Sequence, residues 1–206
     1  MARLGEAMAS ESHVGPPHRP SGVVIWIEGI PGSGKTTLAQ GLAREYVAHQ
    51  QEVEVLDGDE VRRGLSSDLG FSRPDREAHA LRVAFVAQRL SRHSINVVVA
   101  LITPYESSRR SIREKLSGGF LEVWTRCPLE ICRKRDPKGL YARSREGSLP
   151  HLTGVDDPFE TPRGADLVLD TDQIDVEECI RRTWQRAEQI RHDAVENPVP
   201  DPPSHS

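Results

Sequence analysis

The stretch Gly29-Ile30-Pro31-Gly32-Ser33-Gly34-Lys35-Thr36-Thr37 fills the pattern G-x-x-x-x-G-K-[ST] with Gly29, Gly34, Lys35 and Thr36. No other feature constrains the chain as much. Val23-Val24-Ile25-Trp26-Ile27 before it is an apolar β-type run, and Thr37-Leu38-Ala39-Gln40 after it reads as helix. A strand must therefore turn into a helix through a glycine-rich loop, the setting in which this pattern cradles phosphate. Glycines let the backbone wrap so that successive N–H groups and the helix N-terminus face a nucleotide's phosphates. Gly29, Pro31, Gly32, Ser33, Gly34, Lys35, Thr36 and Thr37 are accordingly the expected nucleotide-binding residues. Within that set Lys35 touches the β- and γ-phosphates, and the Thr36 hydroxyl is offered to Mg²⁺.

Strands and helices alternate along the rest of the chain. The first helix carries Leu38, Leu42 and Val47 and ends near residues 49–51, and residues 52–56 form a second strand that runs into Asp57-Gly58-Asp59. Carboxylates thus fall at a strand's C-terminal end, where open α/β sheets place their sites. Residues 60–79, with Arg62, Arg63, Arg73 and Arg76 around Gly64, Gly70 and Pro74, read as a cap over the sheet. A helix over 80–91 offers Val83, Phe85, Val86 and Leu90 to the core. Residues 95–102 are almost continuously apolar, as a parallel strand buried on both faces should be. There follow a helix over 106–116, a strand over 120–125 and a short helix over 129–135. The polar segment 136–162 is too long for an idle loop and reads as a lid. A strand at 165–169 and a helix from 176 to about 194 complete an α/β fold, a parallel sheet wrapped by helices on both faces. Residues 1–21 and the Pro-rich 196–206 are expected to be disordered, leaving one domain over 22–195.

The formal charge of −4 provides no general attraction to nucleic acid or to anionic membranes, and neither is expected as a partner. No apolar run approaches a bilayer's thickness and the N-terminus lacks a hydrophobic signal segment, so a cytoplasmic protein is expected. Cys127, Cys132 and Cys179 form neither a Cys-x-x-Cys pair nor a zinc spacing and are read as reduced, structural thiols. Lysine occurs only at positions 35, 115, 134 and 138, which draws notice to Lys35 and Lys138 inside motif-like stretches.

Beyond the loop, Leu56-Asp57-Gly58-Asp59, Arg62-x-Gly64-Leu65, Asp68-Leu69-Gly70-Phe71-Ser72, Asp75-Arg76, Pro104-Tyr105, Asp136-Pro137-Lys138-Gly139-Leu140-Tyr141 and Thr153-Gly154 follow one another in order. This succession, over about residues 23–172, resembles the adenylylsulfate kinases, a family of P-loop kinases. The resemblance implies a P-loop kinase fold, ATP and Mg²⁺ as cofactors, commonly a homodimer, and transfer of the γ-phosphate to the 3′-hydroxyl of adenylylsulfate. It implies Asp57 as the base that takes the hydroxyl proton, with Lys35 as its catalytic companion. Asp59 lies nearby as a water-mediated Mg²⁺ ligand. Arg62 and Arg76 become acceptor ligands, Phe71 stacks on the acceptor's adenine, and Arg135 with Lys138 joins the nucleotide site as residues 136–141 close over the phosphates. For Asp57 and Asp59 the plain alternative is capping of the turn around Gly58.

The chain departs from the family on the acceptor side. His79 stands where the family has Asn, Leu81 where it has Arg, Glu106 where Ser-Pro-Tyr-Arg ends in Arg, and Leu152 where Phe-Thr-Gly begins with Phe. Ile102, Thr103 and Pro104 complete the expected acceptor set with His79, Glu106 and Leu152. Loss of an aromatic partner weakens selection of a base, and glutamate beside the pocket opposes an anion. The resulting expectation is a divergent kinase acting on a cationic hydroxylated metabolite: an amino sugar, an aminocyclitol or an aminoglycoside-type antibiotic. Adenylylsulfate kinase itself is the alternative, and an inactive nucleotide-binding module the remote one. The plain readings remain that His79 fills space on its helix and that Glu106 is an acid at a helix N-terminus. The resemblance places Thr103 at the position of a serine whose phosphorylation is proposed in some family members; termination of the strand is the preferred reading for it.

Overall fold

The computed structural model describes residues 21–116 and 118–196. The expected disordered leader and tail fall outside these residues, apart from Ser21 and Glu196. Five strands, β1 (Val24–Glu28), β2 (Val53–Asp57), β3 (Asn96–Ala100), β4 (Phe120–Arg126) and β5 (Leu167–Asp170), pair in parallel in the order β2-β3-β1-β4-β5. β1 and β3 are buried along their whole length, which accounts for their unbroken apolar runs.

Alternate residues of each strand feed two cores. Ile25 and Ile27 of β1 face α1 (Lys35–Ala48) and α7 (Val176–Glu196), packing with Leu38, Leu42, Tyr46 and Ala187. Val24 and Trp26 face α3 (Arg73–Ser91) and α4 (Glu106–Lys115), packing with Ala80, Val83, Ala84 and Ile112. Trp26 also spends its N–H, donating Nε1 to the Thr103 hydroxyl at 2.8 Å. Since β1 lies between β3 and β4, the loop leaving its carboxyl end opens beside the ends of both neighbours.

Some expected positions move. Val47 is 67% exposed and the adjacent Tyr46 fills the core in its place, because helical spacing carries Tyr46, not Val47, onto the face shared with Leu38 and Leu42. Phe85 is 55% exposed, while Ala84 and Ala87 touch the sheet beside Val83. The segment expected as a cap is mostly helical: α2 (Gly58–Leu65), then α3 starting at Arg73. Ser72 caps α3 by accepting from the Asp75 N–H, and Pro74 sits in the first turn, where no N–H is needed. The expected lid follows α5 (Leu129–Arg135), contains the short α6 (Leu140–Arg145), and holds a small core of Cys132, Tyr141 and Leu152. The Asp136 carboxylate caps α6 through the N–H groups of Tyr141 and Ala142. Among the described residues no helix is long and apolar enough to cross a membrane.

Candidate active site

A cavity of about 920 Å³ runs along the carboxyl ends of β1, β2 and β3 beneath the lid. Its floor is the glycine-rich loop. Gly29, Gly32 and Gly34 take φ of +148°, +76° and +99°. Side chains could not replace two of them: a Cβ on Gly29 would lie 2.5 Å from Thr125 Oγ1, and one on Gly32 would lie 2.9 Å from the Cys132 carbonyl. The loop is braced from behind. Ser33 Oγ and Thr125 Oγ1 are 2.8 Å apart, Tyr141 donates its hydroxyl to the Pro31 carbonyl at 2.8 Å, and Thr171 donates to the Ser33 carbonyl at 2.9 Å. α1 begins at Gly34 with no side-chain cap and no acid in its first turn. Its first N–H groups and the positive end of its dipole are left for an anion.

Lys35, 9% exposed, donates Nζ to the Ile30 carbonyl at 2.9 Å, folding back over the loop. Burial lowers its pKa from the ordinary value near 10.5 to about 8. Thr36 Oγ1 donates to Asp57 Oδ2 at 2.9 Å, and Asp57 Oδ1 accepts the Asp59 N–H at 3.1 Å. Asp57 therefore does cap α2, as the plain reading had it, and also faces the cavity. Each carboxylate oxygen keeps a second lone pair, so the cap does not exhaust Asp57 as a proton acceptor. Among the described residues no cluster of three or more Asp, Glu, His or Cys could hold a metal by itself. The donor set fits Mg²⁺ held by the Thr36 hydroxyl and by phosphate oxygens, with the carboxylates acting through water. Asp59 pairs instead with Lys138 Nζ, tying α2 to the start of the lid, and this partner raises the Lys138 pKa.

At the other end of the cavity stand Arg62, Phe71, Arg76, His79 and Ile102. The Phe71 ring is half-exposed, with the Arg62 guanidinium 4.7 Å and the Arg76 guanidinium 5.5 Å from its centroid. Among the described residues Arg62 bonds only carbonyls, those of Leu69 and Gly70, while Arg76 meets Asp157 at 3.3 Å. Burial first, and the Arg76 charge second, push the Arg62 pKa down. Arg76 is thus paired with Asp157, whereas Arg62 has no carboxylate within ion-pair distance among the described residues.

Of the residues expected from sequence, Pro31, Gly32, Gly34, Lys35, Thr36, Thr37, Asp57, Asp59, Arg62, Phe71, Arg76, His79, Ile102, Arg135 and Lys138 line this one cavity. Gly29 and Ser33 lie behind the loop and shape it. Four acceptor residues are corrected. Thr103 is fully buried between Trp26 Nε1 and the Leu101 carbonyl, which closes its hydroxyl to phosphorylation; β3 ends at Ala100, so Thr103 braces the segment after the strand and does not end it. Pro104 is buried, its carbonyl holding the Glu160 N–H. Leu152 sits in the lid's own core. Glu106 turns away from the cavity because Arg109 takes its carboxylate at 2.8 and 3.0 Å; the same guanidinium donates to the carbonyls of Thr103 and Glu160. Glu60 and Glu77 are the other two acids expected to suit a cationic acceptor: Glu77 is occupied by Arg73 and Ser107, and Glu60 is exposed and does not line the cavity. None of the three acids on which a cationic acceptor depended lines the cavity, and Glu77 and Glu106 are paired with arginine.

Sequence reasoning missed the cavity's far end, where Thr171, Gln173, Ile174, Val176 and Cys179 line the wall past Thr37 and Leu38. Arg135 fastens that wall to the loop, donating to Thr171 and to the Gly32 carbonyl. The segment carries no motif; its only signal is that it directly follows β5 at the carboxyl edge of the sheet. Cys132 packs with Cys127, and burial pushes its thiol up to about 12, so it stays unreactive at neutral pH.

A parallel sheet with a phosphate loop at its central strand, a lid that carries Lys138 near its start and a carboxylate beside the loop's Thr define a P-loop kinase, an ATP-dependent phosphotransferase with a hydroxyl acceptor. The family described as Adenylylsulphate kinase matches residues 21–170. The chain is 46% identical over 164 residues to the adenylyl-sulfate kinase of Synechococcus sp. (strain JA-3-3Ab), covering 80% of this chain and 93% of that protein. It is 47% identical over 161 residues to that of Paraburkholderia xenovorans, covering 78% and 90%. Among solved structures it is similar to the APS kinase CysC of Mycobacterium tuberculosis in complex with AMPPNP and APS. There the TM-score is 0.78 at 36% identity, over 82% of this chain and 99% of that one. The chain belongs to the adenylylsulfate kinase family.

Proposed function

We propose that this chain passes the γ-phosphoryl group of Mg·ATP to the 3′-hydroxyl of adenylylsulfate. The observation that carries the reading is the acceptor end of the cavity, where the Phe71 ring lies beside Arg62, which has no carboxylate partner among the described residues, and beside Arg76. An aromatic ring accepts a nucleobase by stacking, and a guanidinium without a carboxylate partner favours an anionic sulfate over an ammonium. The relatives' printed activity supports the same acceptor. A cationic metabolite loses its support, because Glu106 and Glu77 are bound to Arg109 and Arg73 and Glu60 does not line the cavity.

In this reading the N–H groups opening α1 and the Lys35 ammonium hold the β- and γ-phosphates, and the Arg135–Thr171 wall receives the donor's base. Asp57 accepts the hydroxyl proton as the acceptor oxygen bonds to the γ-phosphorus and the bond to the β-phosphate oxygen breaks, releasing ADP. Bound Mg²⁺ neutralises charge on the transferring phosphoryl group. Lys138 brings the lid onto the phosphates, and Arg62, Phe71, Arg76 and His79 orient the acceptor. We carry pairing of two copies in the same proposal; it accounts for Leu81 and Phe85, exposed one turn apart on α3.

The test is ADP release from Mg·ATP with adenylylsulfate in one arm and hydroxylated amines, aminoglycosides included, in others. Saturable turnover with adenylylsulfate is expected. Phosphorylation of an amine with adenylylsulfate inert would overturn the reading.

A further inference from the structure

His79 is the one acceptor-side residue whose hydrogen-bonding is half finished. It is 2% exposed on α3 and lines the cavity near Phe71. Nδ1 lies 2.9 Å from Ser66 Oγ, whereas Nε2 is buried with no protein partner among the described residues. Burial, then the charges of Arg62 and Arg82, pull the imidazole pKa down to about 4, so the ring is neutral at physiological pH. A neutral imidazole carries a single N–H, and its partners decide which nitrogen holds it.

Ser66 makes that choice. It is fully buried at the C-terminal end of α2, and its hydroxyl has no partner among the described residues except His79 Nδ1. Were Nδ1 the protonated nitrogen, it would donate to Ser66 Oγ. The serine's own proton and the Nε2 lone pair would then both be buried with nothing to bond. With Oγ–H donating to Nδ1, the only open group is the Nε2–H. That arrangement leaves one unpaired group, not two, and the open one is a donor.

We propose that Ser66 is a positioning residue that fixes His79 as the Nε2–H tautomer, and that this donor bonds a lone-pair atom of the acceptor, a ring nitrogen of its base or an oxygen of its anionic group. The inference rests on the reading that the acceptor occupies this end of the cavity. A site built around a buried donor rejects a ligand that presents C–H or N–H to it, because the donor is then left unpaired. His79 thus selects by hydrogen-bond polarity, without adding charge to Arg62 and Arg76.

Two measurements test this on the full chain. Nitrogen NMR of histidine-labelled protein, with the His79 signals assigned by their loss in His79→Leu, should show Nε2 protonated in the wild type and mixed tautomers in Ser66→Ala. In ADP-release kinetics, His79→Leu should raise KM for adenylylsulfate about three- to tenfold, the loss of one neutral hydrogen bond, while Ser66→Ala, with kcat and KM for ATP unchanged, should raise it by the reciprocal of its Nε2–H fraction, about twofold for an even mixture. Ser66→Thr, which keeps the hydroxyl, should restore it. Adenylylsulfate analogues lacking one ring nitrogen at a time, or bearing an uncharged sulfonyl group, identify the bonded atom as the one whose removal costs the wild type but not His79→Leu. Protonation at Nδ1 in the wild type overturns the inference, as does an analogue series in which the two proteins suffer equally. Inert adenylylsulfate with Nε2–H intact would instead overturn the functional reading and, with it, the assigned ligand atom.

Discussion

Nucleotide binding should be linked to uptake of one proton by Lys35. Its pKa of about 8 belongs to the nucleotide-free loop, where burial opposes the charge and, among the described residues, only the Ile30 carbonyl bonds the ammonium. Phosphate oxygens beside Nζ favour the charged form and return the pKa toward its ordinary value. The sign follows: the bound state holds more protons above pH 8, so affinity falls as pH rises. At pH 7 about nine-tenths of the free protein already carries the charge, and at pH 9 about one-tenth does, which is one pKa unit of cost, about 1.4 kcal/mol or tenfold in Kd. Neighbouring groups do not obscure this window, because Asp59 holds the Lys138 pKa up and His79 titrates near 4. Calorimetric titration of a non-hydrolysable ATP analogue in buffers of different ionisation enthalpy should give about 0.1 proton taken up at pH 7 and about 0.9 at pH 9. Lys35→Met should bind weakly and lose the pH dependence. Constant affinity from pH 7 to pH 9 with no proton uptake would refute the argument, since Lys35 would then be charged in the empty loop or distant from the phosphates.

Asp57→Asn keeps a side-chain oxygen for the cap of α2 but cannot take the acceptor's proton; kcat should fall about 10²- to 10⁴-fold while ATP affinity stays within about threefold, and undiminished turnover would remove Asp57 as base. The exposed Asp59–Lys138 pair is worth less than about 1 kcal/mol as a latch. Asp59→Asn should therefore leave KM for ATP within about fivefold, whereas Lys138→Met should exceed tenfold if Lys138 meets phosphate; equal effects would make the latch its whole role. Glu28, buried beneath the loop with Arg109 at 3.7 Å, has its carboxyl pushed well above the usual range by burial. Its folded pKa exceeds the unfolded one, so its contribution is present at low pH and lost as pH rises from about 4.5 through the folded value. Glu28→Gln should consequently raise Tm at pH 8 by about 2–4 °C for each kcal/mol recovered, and by less at pH 5; a lower Tm at pH 8 would show that the ion pair with Arg109 outweighs the burial.

What could be read from the sequence was whatever depends on local spacing. The loop, the carboxylates after β2 and the apolar runs of β1 and β3 each need only neighbours in the chain, and the structure keeps them where they were expected. The start of α3 was hidden because arginine, glycine and proline dominate residues 60–79, although Pro74 lies in the one turn of a helix that tolerates it. Side-chain direction was another matter. Glu106 and Leu152 sit at acceptor positions of the family's pattern, yet Arg109 draws one away through an i,i+3 helix pairing that the sequence does offer, and the lid core absorbs the other through Cys132 and Tyr141, which are distant in the chain. A substitution at a motif position changes a site only if its side chain still faces that site. His79 passes this condition and Glu106 fails it, so the acceptor question narrows to one imidazole. The altered motif speaks for a refined hydrogen bond to the same anionic nucleotide more than for a new class of substrate.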